Sequence, residues 1–273
     1  MKNKKTIYSG FILLLGLFVW SFFIETGLLT ENNQIKNKWP YKSIKIAFFS
    51  DLHAGAPHIN KKYIQNLVAR INSHHPDLIL IGGDLLINNV VGGKHMSIED
   101  VSLILKDLKA PMGKFVVLGN HDWWNDAGHI KSVLNLNGFQ VLENQNTLVQ
   151  IDNNQKFWLI GIGDHFTNHS EPVKAFENTD KKFPKILFMH DPASLLDIKQ
   201  DFYLALAGHM HGGQVFIPGI GALITPGDAP TSWAKGWTEF KYGSLYVSQG
   251  IGTSILPVRF NSMPEFVILY LQK

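Results

Sequence analysis

Two kinds of apolar pattern alternate along the chain from residue 44 to about residue 136. Short unbroken apolar runs occur at Ile44–Ser50, Leu78–Ile81 and Lys114–Leu118. Between them lie helical stretches: Ile64, Leu67, Val68 and Ile71 recur at the three- and four-residue spacing of a helix face within 61–74, and Val101, Leu103, Ile104, Leu105 and Leu108 are apolar within 98–108. A third such stretch is His129–Leu136. Buried-strand runs separated by amphipathic helices predict a β-α-β-α-β-α beginning and a mostly parallel central sheet. From about residue 139 the spacing changes to short strand-like runs at Leu142, Leu148–Ile151, Phe157–Ile160, Ile186–Met189, Phe202–Leu206, Val215–Ile217, Leu245–Val247 and Phe266–Leu271. These predict a second sheet packed on the first. There is no internal repeat and no linker to a second folded unit.

The N-terminus has a different pattern. Ile7–Ile24 carries no charge over 18 residues, within the roughly 17–25 that span a hydrocarbon core. Lys2, Lys4 and Lys5 precede it, which favours a cytoplasmic N-terminus, and Trp20, Phe22 and Phe23 fit the far interface. A cleaved signal would have a shorter apolar region ending at small residues, and the ending Phe-Phe-Ile-Glu-Thr-Gly fits that poorly. Residues 1–30 are therefore expected to be a membrane anchor, 31–42 a polar tether and 43–273 the catalytic body. This topology puts the body outside the cytoplasm. A monotopic helix would leave it on the cytoplasmic face.

Charge and composition narrow the chemistry. The net charge of +3 comes from 25 basic and 22 acidic residues. Removing the three N-terminal lysines and Glu25 leaves 22 against 21, or +1, so the body lacks the basic excess of a nucleic-acid binder. With no cysteine, disulfides, thiolate metal sites and a cysteine nucleophile are all excluded. Any metal must be held by His, Asp, Glu or Asn, and there are twelve histidines.

Such residues gather at the predicted strand ends, where ligands of open α/β sheets collect. The blocks are Asp51-Leu-His53, Gly83-Asp84, Gly119-Asn120-His121-Asp122, His190, and Gly208-His209-Met-His211. One such histidine is usually a core or surface residue. Five blocks at strand ends point instead to a shared partner, and a metal pair is the economical one. His with Asp and Asn suits Mn²⁺, Fe²⁺ or Zn²⁺ better than Mg²⁺ or Ca²⁺.

The five blocks, in this order, resemble the calcineurin-like binuclear metallophosphoesterases over about residues 44–272. The stretch Gly208–Gln214, the ending Gly250–Phe260 and Pro264-Glu265 look like the YkuE/YaeI subgroup, which is commonly membrane-attached and includes enzymes similar to UDP-2,3-diacylglucosamine pyrophosphatases of lipid A synthesis. The resemblance implies an α/β fold, a four-layer α/β/β/α sandwich of two mixed sheets behind the one transmembrane helix. It also implies two divalent metal ions. Asp51, His53 and His211 would hold one, Asn120, His190 and His209 the other, and Asp84 would bridge both. A water between the ions would be ionised near neutrality and attack phosphorus. His121 would act as acid toward the leaving oxygen, oriented by Asp122, unless Asp122 caps the helix that follows.

Further expectations are weaker. Asp164, with His165 and His169, lines the substrate cleft or forms a turn. Arg259 clamps a phosphate or forms a structural ion pair. Trp123, Trp124, Trp233 and Trp237, the last two in the long loop Pro218–Phe240, form a lipid-facing or substrate-covering wall or pack under loops. His58, His74, His75, His95 and His129 are surface residues. The expected partners are a lipid-linked phosphoester and the membrane, not nucleic acid. A substrate made in the cytoplasm conflicts with a body outside it, so the lipid A role requires a monotopic or inverted helix.

Overall fold

The computed structural model describes residues 2–88 and 90–273, with side chains from residue 8 onward; Met1 and the side chains of Lys2, Lys4 and Lys5 lie outside the described part. An apolar helix, α1 (Lys2–Val19), continues through a π-helical turn at Trp20–Ile24 and a 3-10 turn at Glu25–Gly27. Strands and helices then follow as β1 (Thr30–Lys36), β2 (Ile44–Phe49), α2 (Lys61–Ser73), β3 (Leu78–Ile81), α3 (Ile98–Leu105), β4 (Lys114–Val116), α4 (Asn120–Trp124), α5 (Ala127–Leu136) and β5 (Gln140–Val141). The second half holds β6 (Gln145–Gln150), β7 (Lys156–Ile162), α6 (Pro172–Ala175), β8 (Lys185–Met189), β9 (Leu204–Ala207), β10 (Phe216–Ile217), β11 (Gly221–Ala222), β12 (Gly236–Phe240), β13 (Gly243–Val247) and β14 (Glu265–Leu271).

Two six-stranded mixed sheets stack face to face, ordered β1-β14-β2-β3-β4-β5 and β12-β13-β9-β8-β7-β6. Period-two alternation sorts the strand residues into three apolar layers. Ala47, Phe49, Ile79, Ile81 and Val116 face helices α2, α3 and α5. Ile46, Phe48, Leu78, Leu80 and Phe115 face the second sheet, meeting Leu159, Phe188, Leu204 and Tyr246. The far side of the second sheet, with Ile160, Leu187, Ala205 and Val247, is covered by α6, the 3-10 turn Pro192–Asp197 and the Trp233 loop. The outer layer expected there is thus short turns rather than long helices.

Three expectations are corrected. Residues 31–42 are not a tether: β1 pairs in parallel with β14 along its whole length, and Trp39 is buried between the sheets. The reason is that β1 is an edge strand held by backbone pairing. Its polar side chains find partners, as Asn32 Nδ2 donates to Glu265 Oε2 at 2.8 Å. Residues 265–271 belong to the first sheet, antiparallel to β2, and not to the second. Lastly, part of the long loop Pro218–Phe240 is strand β12, whose Trp237 packs on Tyr246, while Trp233 packs on Phe240. Neither tryptophan forms a lipid-facing wall.

The N-terminal segment docks on the body at its C-terminal end only. Residues 8–20 are exposed, whereas Ser21, Glu25 and Thr26 are buried. Ser21 O accepts from Arg259 N at 2.9 Å, and Glu25 Oε1 accepts from Ser262 N at 2.7 Å. Glu25 Oε2 accepts from Trp20 Nε1 at 2.7 Å. The stretch Tyr8–Gly27 is long and apolar enough to cross a membrane.

Candidate metal centre and active site

The carboxyl ends of β2, β3, β8 and β9 and the turn after β4 converge at one edge of the sandwich. The chain must turn sharply there to aim several side chains at one point. Asp51, His53, Asp84, His209 and His211 accordingly all have positive φ, between 45° and 67°. Non-glycine residues adopt this region at a cost, and clusters of them mark functional sites. The glycines of the motifs have a separate reason. A Cβ on Gly119 would lie 2.3 Å from Asp84 Oδ1, and one on Gly208 would lie 2.5 Å from Asp51 Oδ2.

Ligand-type atoms of Asp51, His53 and His211 lie within 4.8 Å of one another, as do those of Asp84, His190 and His209, and those of His53, Asp84 and His121. Asp84 links the groups. Its Oδ1 accepts from His121 N at 2.8 Å, while Oδ2 lies 3.6 Å from His53 Nε2 and 3.3 Å from His190 Nε2. One oxygen, rather than two, therefore faces both sides. His53 Nε2 and His211 Nε2 are 3.2 Å apart, and His211 Nε2 is 3.5 Å from Asp51 Oδ1. On the other side, His190 Nε2 is 3.1 Å from both Asn120 Oδ1 and His209 Nδ1. All seven residues expected as ligands are buried and brought together.

The electrostatics fit a cation. Burial pushes the His53 imidazolium down to about 3. Burial also holds His209 and His211 well below the ordinary range, helped by the neighbouring His190 and His53 respectively. Neutral imidazoles with free lone pairs are what metal ligation needs. Burial would raise Asp84, but His190 and His53 hold it well below the usual carboxylate range. Burial would lower His190, but the Asp84 carboxylate holds it well above the ordinary value. His190 Nδ1 faces Gly82 O at 2.7 Å, which fixes the tautomer that leaves Nε2 toward the site. Burial raises Asp51 to about 6, with Asp84 adding to the rise.

His121 is placed differently. Its ring sits edge-on to His53, 4.7 Å between centroids, and lines the cleft above Asp84. Burial lowers its pKa. Asp122 does not orient it. Both Asp122 oxygens are occupied by backbone donors: Gly119 N at 3.0 Å, Asp84 N at 2.8 Å and Leu85 N at 3.0 Å. The ring's Nδ1 instead faces Asn88 Oδ1 at 3.1 Å, and Asn125 Nδ2 donates to the same oxygen. Asn88 carries no motif signal, because it lies in a loop four residues past Asp84.

The three weaker candidates also move. Arg259 is wholly buried, with its guanidinium on Gly252 O and Ser262 O, and is closed to substrate. Asp164 is buried in a turn, accepting from Thr167 N and Oγ1. Trp123 stacks on His169 at 3.5 Å, whereas Trp124 lines the cleft. His74 faces Glu31 and His129 faces Glu99, in keeping with surface roles.

Above this floor is a cleft of about 680 Å³. Its walls include Trp124, Phe166, Leu223, Ile224, Leu256 and Val258.

A family model for the calcineurin-like phosphoesterases matches residues 44–213. The chain is 29% identical to the uncharacterized metallophosphoesterase YkuE of Bacillus subtilis over 238 residues, covering 85% of this chain and 80% of that protein. It is 30% identical to the phosphodiesterase YaeI of Escherichia coli over 231 residues, covering 83% and 82%. With a bovine transmembrane protein containing a metallophosphoesterase domain it shares 27% over 246 residues, 84% of this chain and 53% of that protein.

Proposed function

Because the chain belongs to the calcineurin-like phosphoesterase family and is a metal-dependent phosphoester hydrolase, we propose that it is a membrane-anchored enzyme cleaving a phosphodiester or pyrophosphate bond of a lipid- or envelope-linked substrate. The observation that carries the reading is Asp84 Oδ2, one buried oxygen shared by two groups of imidazole ligand atoms.

Asp51, His53 and His211 would hold one divalent ion, and Asn120, His190 and His209 the other, with Asp84 common to both. The donor set favours Mn²⁺, Fe²⁺ or Zn²⁺. Such a pair supplies positive charge for the phosphoryl oxygens and an ionised water at neutral pH. The chain does the rest. The His121 backbone N–H donates to Asp84 Oδ1 and so favours the orientation that turns Oδ2 toward the imidazoles. Asn88 Oδ1 faces His121 Nδ1 and holds the ring so that its imidazolium form would donate the Nε2 proton to the leaving oxygen. Asp122 clamps the β3 and β4 turns against each other through three N–H groups.

The apolar cleft walls and the N-terminal helix support a lipid tail on the substrate, and UDP-2,3-diacylglucosamine is a named candidate. A second reading, a broad phosphodiesterase or phosphatase outside the cytoplasm, is favoured by Lys2, Lys4 and Lys5 ahead of the helix. A reporter fused after Lys273 separates the two by topology. Lipid mass spectrometry of a deletion strain names the substrate by what accumulates. The reaction itself is tested with purified full-length protein, bis(p-nitrophenyl) phosphate and added Mn²⁺, Fe²⁺ or Zn²⁺. Hydrolysis lost on chelation and restored by metal is expected. No turnover with any of the three ions would make the protein a metal-binding scaffold instead.

A further inference from the structure

We propose that the rim of the cleft is a bilayer-contacting surface, seated in the leaflet boundary at the docked end of the N-terminal helix, so that the site opens directly onto lipid. The proposal rests on the membrane anchoring proposed above and adds the face of the body that meets the bilayer.

Three observations carry it. The first is an inverted surface. Ile224 is 79% exposed and Ile255 74%, with Leu223 and Leu256 beside them and Val91 hydrogen-bonded to the Ile255 carbonyl. Contiguous exposed apolar side chains from separate loops mark a contact surface rather than scattered surface residues. Their charge-free chemistry fits hydrocarbon.

The second is that the rim is held outward. Ile255 has φ +64°, a conformation that strains a β-branched residue. Gln214 fixes the loop from both sides: its Oε1 accepts from Ser254 N at 2.7 Å and its Nε2 donates to Leu256 O at 3.2 Å. A loop without a use for an outward isoleucine would take glycine at this position.

The third is the dock. The segment that carries Ile255 and Leu256 continues into Arg259 and Ser262, whose backbone N–H groups hold Ser21 O and Glu25 Oε1. Four residues of extended chain reach at most about 14 Å, so Ile255 lies within that distance of Arg259. Interfacial residues seat about 5–10 Å into the headgroup and acyl boundary. A helix that crosses the bilayer and docks on the body from Ser21 onward brings the rim to the boundary of the same leaflet.

The absence of cysteine gives a clean test. Single variants Ile224→Cys, Ile255→Cys, Leu13→Cys and Leu136→Cys are nitroxide-labelled in the full chain and reconstituted in phosphatidylethanolamine–phosphatidylglycerol vesicles. Circular dichroism checks that each is folded. Electron paramagnetic resonance then reads collisions with oxygen against a water-soluble nickel chelate. Residue 13 is expected deep in the bilayer, and residues 224 and 255 shallow but lipid-exposed, with a severalfold higher oxygen-to-nickel ratio than at residue 136 on α5. Rim labels as nickel-accessible as residue 136, with residue 13 still in lipid, overturn the proposal and leave the anchor standing. Aqueous exposure at residue 13 too removes the anchor and the proposal together. Neither result touches the metal-dependent hydrolysis.

Discussion

The floor and the rim of the cleft reverse the usual division between inside and outside. On the floor, three carboxylate or amide side chains and four imidazoles are buried to within 5% of full exclusion from water. On the walls of the same cleft, isoleucines and leucines stand exposed. The floor is cross-braced by hydrogen bonds between the turns after β3 and β4, and its residues hold costly backbone conformations. The rim is carried by two loops and one clamping glutamine. Burial of polar groups needs a partner for each of them, and exposure of apolar groups needs a surface to cover them. On the proposed reading, reaction chemistry and substrate delivery fall to different parts of one cavity, and each part can be altered alone.

The largest difference is expected at Asp84. Asp84→Asn keeps the shape but removes the shared charge, and turnover should fall about a thousandfold or more, with less than two metals bound per chain. Full activity in that variant would overturn the shared-ligand reading. Next comes His121→Ala, with a fall of about 100-fold in kcat while both metals stay bound, as read by elemental analysis. Loss of metal equal to loss of rate would remove His121 from the acid role.

Asn88→Ala should cost about tenfold in kcat, and Asn88→Asp, which still accepts from Nδ1, should recover most of it and raise the alkaline limb of the pH profile. Asp122→Asn should instead lower Tm and metal content together, since its oxygens serve backbone donors. A shifted pH profile without destabilisation would restore Asp122 as the orienting residue.

The floor also makes a pH statement. The Asp84 carboxylate holds the His190 imidazolium well above its ordinary pKa, and ligation at Nε2 must displace the proton held there. Metal uptake should therefore release at least one proton, and affinity should rise with pH, by up to about tenfold per unit below that pKa. Calorimetry in buffers of different ionisation enthalpy measures the release, and a value of zero would contradict the assignment. The smallest effect belongs to the rim: Leu256→Ser should change unfolding free energy by no more than about 0.5 kcal/mol.

The same contrast governs what could be read from the sequence. The floor was legible because the ligand blocks close apolar strand runs and three of the five contain a glycine, so local pattern and chemistry coincide. The alternation of Ala47 and Phe49 against Ile46 and Phe48 sorts into the two layers, but the runs are wholly apolar, and pattern alone could not say which face meets helices. Strand β1 was hidden because Thr30–Lys36 has a single strongly apolar residue, Ile35, and its pairing is backbone pairing with β14, over 230 residues away. Asn88 was hidden because its role depends on where a loop turns. Arg259 misled because an isolated arginine looks like a phosphate clamp until its carbonyl partners are known. The rim was invisible because Ile224 and Ile255 are 31 residues apart and come together only as walls of one cleft.

Only Leu28 and Leu29 separate the docked 3-10 turn from β1, and both carbonyls are bonded to α2, by Tyr63 Oη at 2.8 Å and by Arg70 Nη1 at 2.5 Å. Such a joint leaves no hinge. With α1 in a bilayer, the body cannot swing through the surrounding solution as a leashed domain would. For the lipid-linked substrate proposed above, the active site would be carried at a fixed height and the search would become two-dimensional, a sweep over molecules that diffuse laterally past it. Replacing Leu28-Leu29 with a long Gly/Ser insert would restore the third dimension, and its effect on the relative rates toward membrane-bound and dissolved phosphodiesters would measure what the rigid joint contributes.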